Sequence, residues 1–143
     1  MVQRLVDVLL SGHAKVIDAD LFYETDILDL LEKDNIVLTP HPKEFCSLLQ
    51  ICGIDDIDVK ELQSNRFEYI SKFCQKYQNI TLLLKGANVL IGQGDKLYIN
   101  PHGSNRLSFG GSGDVLGGFI SSLLAQGYSA IDSAINGTLI HSK

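Results

Sequence analysis

The stretch Gly110-Gly111-Ser112-Gly113-Asp114 contains the residue types that could do chemistry on a phosphate group. A glycine-rich turn that opens a helix leaves backbone N–H groups without carbonyl partners, and the helix dipole attracts an anion to that end. Asp114 would repel the anion, unless it takes a proton from a hydroxyl group that attacks the phosphorus. The alternative is an ordinary turn with an aspartate in a first helical turn, and this stretch alone does not decide between them.

An amphipathic helix is predicted directly after Asp114. Its apolar residues recur at helical spacing and would form one broad face, made of Val115, Leu116, Phe119, Ile120, Leu123 and Leu124. Gly127 is placed to end this helix. The glycine-rich stretch therefore precedes a helix, which is where a backbone cradle for phosphate is expected.

Three further candidate residues each follow an apolar segment with the character of a buried strand. They are Asp18 after Val16-Ile17, His41 after Ile36-Val37-Leu38, and Lys85 after the apolar run at 80–84. Asp20, beside the first of them, is better interpreted as the N-cap of the next helix. A helix cap is the structural alternative for His41, and a solvated strand-end charge is the alternative for Lys85.

The neighbours of two of these residues favour ligand contacts. Pro40 and Pro42 stiffen the turn that contains His41, and Pro42 occupies a favoured first helical position. Gly86 would let a ligand approach the backbone closely beside Lys85. We therefore predict that both turns line a binding site.

The apolar periodicity predicts helices that alternate with short strands. The helices are expected at 2–11, from Leu21 to about Glu32, from Pro42, from Val59 to Tyr77, and from Ala130 to about His141. Asp58 with Glu61 resembles a capping box, and Ser129 with Asp132 is predicted to cap the last helix. Residues 88–91 and 96–99 are predicted to form a hairpin across 92–95.

This order indicates an α/β fold with a largely parallel sheet that is covered on both faces. Ligands of such sheets bind at the carboxyl ends of the strands. Asp18, His41, Lys85 and the 110–114 stretch would all lie at that edge, so we predict a single site there.

The composition narrows the class of protein. The chain has 143 residues, of which 45% are hydrophobic, and a formal net charge of −5, which fits one globular domain and disfavours a nucleic-acid partner. No apolar run is long enough to cross a membrane, and the N-terminal residues lack a signal-peptide pattern. Cys46, Cys52 and Cys74 form no metal-type spacing, which predicts reduced thiols in the cytoplasm.

Four segments occur in an order that resembles one known family. They are Val16-Ile17-Asp18-Ala19-Asp20, Thr39-Pro40-His41-Pro42-Lys43-Glu44-Phe45, Leu84-Lys85-Gly86-Ala87 and the segment from Gly110 to Leu116. Together they resemble the C-terminal half of the ATP/ADP-dependent NAD(P)H-hydrate dehydratases, whose fold is ribokinase-like and related to carbohydrate kinases. The resemblance implies a three-layer α/β/α sandwich with a mainly parallel sheet, and residues 1–143 would be part of one such domain.

The resemblance also implies a reaction. A nucleotide, ADP or ATP, would phosphorylate the ring hydroxyl of hydrated NAD(P)H, and the phosphate would then leave to regenerate NAD(P)H. Asp114 matches the base that contacts this hydroxyl, and Gly111, Ser112 and Gly113 would offer N–H groups to the transferred phosphate. Mg²⁺ is expected as a phosphate partner, although no residue of this chain is assigned as its ligand.

Further site residues follow from the same resemblance. The contacts with the hydrated cofactor would be made by His41, Lys43, Glu44 and Asp114. The adenine-nucleotide site would be formed by Lys85, Gly86, Ala87, Asn88, Val89, Arg106, Ser108, Phe109, Gly110, Gly111, Ser112 and Gly113.

The sequence also departs from the family pattern. Lys43 stands where the family has glycine, and Phe109 replaces a small polar residue. The family's domain begins upstream and continues past the last helix, so the chain is expected to be a fragment. A homo-oligomer, and fusion to or pairing with an epimerase domain, are further expectations. Two other functions stay open, a ribokinase-like kinase for a vitamin precursor or sugar and an inactive nucleotide-binding fragment.

Overall fold

The structure, a computed structural model, describes residues 15–17, 27–86, 88–100 and 112–141, and for residues 15 and 112–114 it describes the backbone alone. Six helices lie in these ranges: α1 (Ile27–Leu30), α2 (Pro42–Ile51), α3 (Val59–Ser64), α4 (Arg66–Lys76), α5 (Ser112–Ala125) and α6 (Ala130–His141). The strands are β1 (Lys15–Ile17), β2 (Ile36–Leu38), β3 (Ile80–Leu84), β4 (Val89–Gln93) and β5 (Lys96–Asn100).

The five strands form one mixed sheet in the order β1-β2-β3-β4-β5. β1, β2 and β3 pair in parallel, with Val16 opposite Val37 and Val37 opposite Thr81. β4 and β5 pair antiparallel and form the predicted hairpin, whose two-residue turn begins at Gly94 with φ +60°. Because β5 runs parallel to β3, both strands end at the same edge as β1 and β2.

Side chains of alternate strand positions enter two separate cores, as the pleat of a sheet requires. On one face, Ile36 and Leu38 pack with buried residues of α1 to α4, such as Phe45 and Phe73. On the other face, Val37 and Leu83 pack against α5 and α6. The sheet is therefore covered on both sides, and the predicted α/β class with three layers is confirmed.

Local signals at the helix ends are also confirmed. The Ser129 hydroxyl accepts a hydrogen bond from the Asp132 N–H at 3.1 Å and caps α6. Gly127 ends α5 with φ +95°, where the N–H of Gly127 donates to Leu124 O and the N–H of Tyr128 donates to Leu123 O. This pair of bonds is the Schellman arrangement that a glycine at this position favours.

The prediction of one continuous helix from Val59 to Tyr77 is wrong. The backbone leaves helical geometry at Asn65, with φ −140° and ψ 44°, and separates α3 from α4. The capping box at Asp58 is only half formed. Asp58 Oδ1 accepts from the Glu61 N–H at 2.8 Å, whereas the Glu61 carboxylate accepts hydrogen bonds from Asn65 and Tyr69.

The predicted broad apolar face of α5 is buried only in part. Leu116, Ile120 and Leu124 lie in the core, whereas Val115 is 52% exposed and Phe119 is 36% exposed. The helix expected to reach Glu32 ends at Leu30. The helix predicted at 2–11, together with Asp18 and Asp20, lies outside the described residues.

Two further observations concern composition-based predictions. Cys46, Cys52 and Cys74 are free thiols, and the last two are buried. Among the helices that the structure describes, none combines the length and apolar character that crossing a bilayer requires.

Candidate functional site

Backbone hydrogen bonds join the chain segments that follow the three parallel strands. The Thr39 N–H donates to Ile17 O at 3.0 Å, and the Thr39 hydroxyl donates to the same oxygen at 3.3 Å. The Lys85 N–H donates to Pro40 O at 3.0 Å. The turn that contains His41 and the loop that begins at Lys85 are therefore directly connected at one edge of the sheet, as the sequence predicted.

His41 is the N-cap of α2 and forms a complete capping box with Glu44. Its Nδ1 accepts from the Glu44 N–H at 3.2 Å, and Glu44 Oε1 accepts from the His41 N–H at 3.0 Å. Two backbone donors of the first turn are satisfied in this way. The structural alternative that the sequence offered for His41, a helix cap, is thus present.

The cap leaves the outer side of the imidazole accessible. Because Nδ1 accepts a hydrogen bond, a neutral ring carries its proton on Nε2, a tautomer assigned from this hydrogen-bond network. Nε2 lies 3.5 Å from Glu44 Oε1, and the His41 side chain is 49% exposed whereas that of Glu44 is 6% exposed. The ring is held in place by α2 and can still donate to a ligand. Lys43 lies beside it in the first turn of α2 and is exposed.

The loop between β3 and β4 changes from buried to exposed within a few residues. Lys85 is buried, with 8% exposure, Gly86 is partly exposed, and Asn88 is exposed. Val89 is again buried and begins β4. The loop is therefore held at both ends by buried residues, Lys85 and Val89.

Arg66 contacts this loop, although no motif or spacing in the sequence indicates such a contact. The Arg66 Nη2 donates to Asn88 O at 2.6 Å. A Cβ atom added to Gly86 would lie 3.1 Å from Nη2 and 3.6 Å from Cζ, so the guanidinium covers the Gly86 backbone. Burial of the guanidinium lowers the pKa of Arg66 from its usual value.

The first turn of α5 lies at the same edge of the sheet. At the opposite edge, a cavity is lined by residues that precede β2 and β3 and by the start of α6, namely Asn35, Asn79 and Ser129. Since α5 ends beside α6 there, it must begin at the edge of the candidate site. A Cβ on Gly117 would lie 3.9 Å from Val16 Cγ1, so the first half of α5 passes β1.

The predicted residues are described to different extents. Ser112, Gly113 and Asp114 form the first turn of α5, and their side chains lie outside the description. Ala87, Arg106, Ser108, Phe109, Gly110 and Gly111 lie outside the described residues altogether. Within the described ranges, no group of three or more His, Cys, Asp or Glu side chains converges to hold a metal ion.

Comparison with known proteins decides the family. A sequence model described as NAD(P)H-hydrate dehydratase matches residues 1–143. The chain belongs to the NAD(P)H-hydrate dehydratase family. It is 50% identical over 126 residues to the bifunctional NAD(P)H-hydrate repair enzyme Nnr of Helicobacter pylori, and 34% identical over 145 residues to the ADP-dependent (S)-NAD(P)H-hydrate dehydratase of Neisseria meningitidis.

These alignments cover 88% and 93% of this member of the NAD(P)H-hydrate dehydratase family, but only 27% and 46% of the respective relatives. Among solved structures, Bacillus subtilis YxkO of the UPF0031 family matches with a TM-score of 0.76 at 29% identity, over 99% of this chain and 50% of that one. A ribokinase-like superfamily protein of Enterococcus faecalis matches with a TM-score of 0.68 at 22% identity, over 98% of this chain and 48% of that one. The ribokinase-like fold is therefore confirmed.

Proposed function

We propose that this chain forms part of a domain that dehydrates hydrated NAD(P)H to NAD(P)H at the expense of ADP or ATP. The observation that supports this most is the hydrogen bond between Lys85 N and Pro40 O, 3.0 Å long. It joins the turn proposed to contact the hydrated cofactor to the loop proposed to bind the nucleotide. A phosphoryl transfer needs its two substrates held side by side.

The reaction balances in two steps. The ring hydroxyl oxygen attacks the terminal phosphorus of ADP, so that AMP leaves and a phosphoester forms on the ring. The C–O bond then breaks, and inorganic phosphate leaves with the bonding electron pair. The lone pair of the ring nitrogen stabilises the positive charge that develops on the ring carbon. Loss of a proton from the neighbouring ring carbon restores the double bond of NAD(P)H. Hydroxide alone leaves poorly, which is why phosphorylation is useful.

Asp114 is proposed as the base that accepts the hydroxyl proton. Its place in the first turn of α5, at the sheet edge of the candidate site, supports this role. The backbone N–H groups of Gly111, Ser112 and Gly113 would stabilise charge on the transferred phosphate, because helix N-termini favour anions. The repulsion between Asp114 and phosphate is relieved once the carboxylate has taken the proton.

His41, Lys43 and Glu44 are proposed to contact the hydrated cofactor. The Nε2–H of His41 is the donor best supported by the structure, since the other ring nitrogen is used in the cap of α2. Glu44 would act through His41, because it is buried and completes the capping box. Lys43 adds a positive charge in an acidic chain, which would favour the phosphates of the dinucleotide.

The adenine nucleotide is proposed to bind between the 85–89 loop and the segment that contains Arg106, Ser108 and 109–113. The name of the Neisseria relative supports ADP as the phosphoryl donor, and ATP is the other nucleotide that we propose. Mg²⁺ would accompany the nucleotide through its phosphate oxygens. The described residues offer it no cluster of ligands, so no residue is assigned to it.

The partners are proposals as well. Several relatives are named bifunctional, which supports fusion to, or pairing with, a domain that epimerises the hydrated cofactor. A homo-oligomer is a further proposal, for which exposed apolar side chains on α5 and α6, such as Val115 and Ile140, are suitable contacts.

The function is tested with the protein as its gene encodes it. Incubation with hydrated NADPH and either ADP or ATP should restore the near-ultraviolet absorbance of NADPH and release one inorganic phosphate for each molecule. A mass spectrum of the mixture should contain no stable phosphoester. Accumulation of a phosphoester would instead identify a ribokinase-like kinase, and no reaction with either nucleotide would refute the proposal.

A further inference from the structure

Arg66 begins α4 and reaches across to the loop between β3 and β4. Its Nη2 donates to Asn88 O at 2.6 Å, a charge-assisted hydrogen bond of the stronger kind. The buried Nε of Arg66 has no acceptor among the residues that the structure describes. The bond to Asn88 is therefore the polar anchor of this guanidinium within the described part of the chain.

The same side chain also fixes the beginning of the loop. The space in which Gly86 would carry a Cβ is occupied by the Arg66 guanidinium, at 3.1 Å from Nη2. This approach is tighter than most Cβ contacts, so a side chain at position 86 would push the guanidinium away by a few tenths of an ångström, whereas glycine lets the planar group lie against the backbone. Arg66 thus contacts the loop at Gly86 and at Asn88, on both sides of residue 87.

Side-chain hydrogen bonds join the start of α4 to α3. Glu61 Oε1 accepts from Asn65 Nδ2 at 3.0 Å and from the Tyr69 hydroxyl at 3.0 Å. These bonds tie the last turn of α3 to the first turn of α4 around the break at Asn65. Arg66 follows this junction directly, so its contacts with Gly86 and Asn88 connect α4 to the loop.

We propose that Arg66 is a positioning residue for the adenine-nucleotide loop at residues 85–89. The proposal rests on the proposed function, because it assumes that this loop binds ADP or ATP. By covering one side of Gly86 and directing the Asn88 carbonyl, Arg66 holds the loop in the conformation that receives the nucleotide. Without Arg66 the loop becomes ordered only when the nucleotide binds. The conformational entropy lost in that step weakens binding.

Replacing Arg66 by lysine separates the effect of the side chain's geometry on nucleotide binding from the effect of its charge. Lysine at this position keeps the positive charge but lacks the planar group that can lie on Gly86 and donate to Asn88 together. If Arg66 acts by positioning, Arg66→Lys should resemble Arg66→Ala. If it acted only as a nearby positive charge, Arg66→Lys should bind nucleotide as the parent does.

The test measures ADP and ATP binding by isothermal titration calorimetry, together with binding of the hydrated cofactor and the melting temperature. Lys60→Ala is the matched control, since Lys60 is an exposed cation on the neighbouring helix α3. We expect Arg66→Ala and Arg66→Lys each to raise the nucleotide Kd by about tenfold or more, as loss of one charge-assisted bond would do. The Kd for the hydrated cofactor should stay within about twofold, and Lys60→Ala should leave both constants unchanged.

A double-mutant cycle with Gly86→Ala checks the contact itself. Gly86 has φ +158°, so Gly86→Ala strains the loop backbone whether or not Arg66 is present. The part of its effect that comes from displacing the guanidinium is absent in Arg66→Ala, so the two effects on nucleotide binding should be less than additive. Full additivity, or parent-like nucleotide binding by both Arg66 variants, would overturn the inference and leave the proposed function intact. A parent protein that binds neither nucleotide would instead refute the proposed function, and the inference with it.

Discussion

The backbone N–H of Lys85 donates to the carbonyl oxygen of Pro40 across 3.0 Å, beyond the last paired residues of β2 and β3. Pro40 has no N–H, so it can accept this bond but cannot donate the next one of a strand ladder. The two chains therefore separate directly after the contact. After this contact the Pro40 segment turns into α2 at His41, and the Lys85 segment becomes the loop that leads to β4.

Replacing Asp114 by asparagine tests the proposed base. Asp114→Asn should lower kcat by about 10²-fold or more, because asparagine cannot accept the hydroxyl proton. Nucleotide binding should persist or become tighter, since a negative charge beside the phosphates has been removed. Steady-state kinetics and calorimetric titration with ADP measure the two effects.

Asp132→Asn is the control for Asp114→Asn, because Asp132 also lies in the first turn of a helix, α6, and its side chain is exposed. This variant should keep the parent's kcat. Lost nucleotide binding together with normal kcat in Asp114→Asn would contradict the assigned role.

His41 permits a separation of capping from ligand binding. His41→Ala removes the acceptor for the Glu44 N–H and should lower the free energy of unfolding by about 1 kcal/mol. His41→Asn supplies a strong N-cap and should restore most of that stability. Both variants lack the Nε2–H donor, so both should raise KM for the hydrated cofactor. Denaturant titration and steady-state kinetics measure the two effects. If His41→Asn recovered the parent's KM along with its stability, the ligand contact would be disproved.

Features set by local sequence were predicted well. Gly127 and Ser129 end one helix and begin the next, because a left-handed glycine and a serine hydroxyl satisfy backbone groups within a few residues. The apolar segments before His41 and Lys85 became neighbouring strands, and the sheet then brought both residues to one edge.

Features set by distant contacts could not be predicted. The hydrogen bond from Arg66 to Asn88 joins residues 22 apart in sequence, and an arginine in a helical pattern is ordinarily a solvated residue. The break at Asn65 leaves no mark in the apolar spacing, which continues through it. A hydrogen bond from the Asn65 side chain to the Glu61 carboxylate accompanies the break. Val115 fits an apolar helical face by its spacing, yet the sheet covers only the stripe that contains Leu116.

Two helical glycines should respond oppositely to the same substitution. A Cβ on Gly137 would lie 2.7 Å from Ile120 Cγ1, where α5 and α6 pack closely, whereas a Cβ on Gly118 would meet nothing within 4 Å. Gly137→Ala should lower the free energy of unfolding by about 1–3 kcal/mol through overpacking. Gly118→Ala should raise it by about 0.5–1 kcal/mol, because alanine favours the helix. Denaturant titration measures both changes. A Gly137→Ala variant as stable as the parent or more stable would contradict the close packing at Gly137, and a destabilised Gly118→Ala would contradict the open space at Gly118.

Alkaline pH should destabilise the fold through Cys74. Burial raises the pKa of the Cys74 thiol from 9.0 to about 12, and the pKa of the Tyr77 hydroxyl, also raised by burial, is about 12. A group whose pKa is higher in the folded state binds its proton more tightly there, so its stabilising contribution is complete below the unfolded pKa. That contribution is lost as the pH rises from about 9 towards 12, where the unfolded chain releases the proton first.

The variant Cys74→Ala isolates this effect. The parent's free energy of unfolding should fall by up to about 1.4 kcal/mol per pH unit more steeply than that of Cys74→Ala above pH 9 or so. The methyl side chain keeps part of the packing in the core cluster that Cys74 shares with Ile70, and any packing loss is independent of pH. Denaturant titrations at several values from about pH 8 to about pH 11 measure both slopes. Parallel slopes for the two proteins would show that the Cys74 thiol does not titrate differently in the folded and unfolded chains.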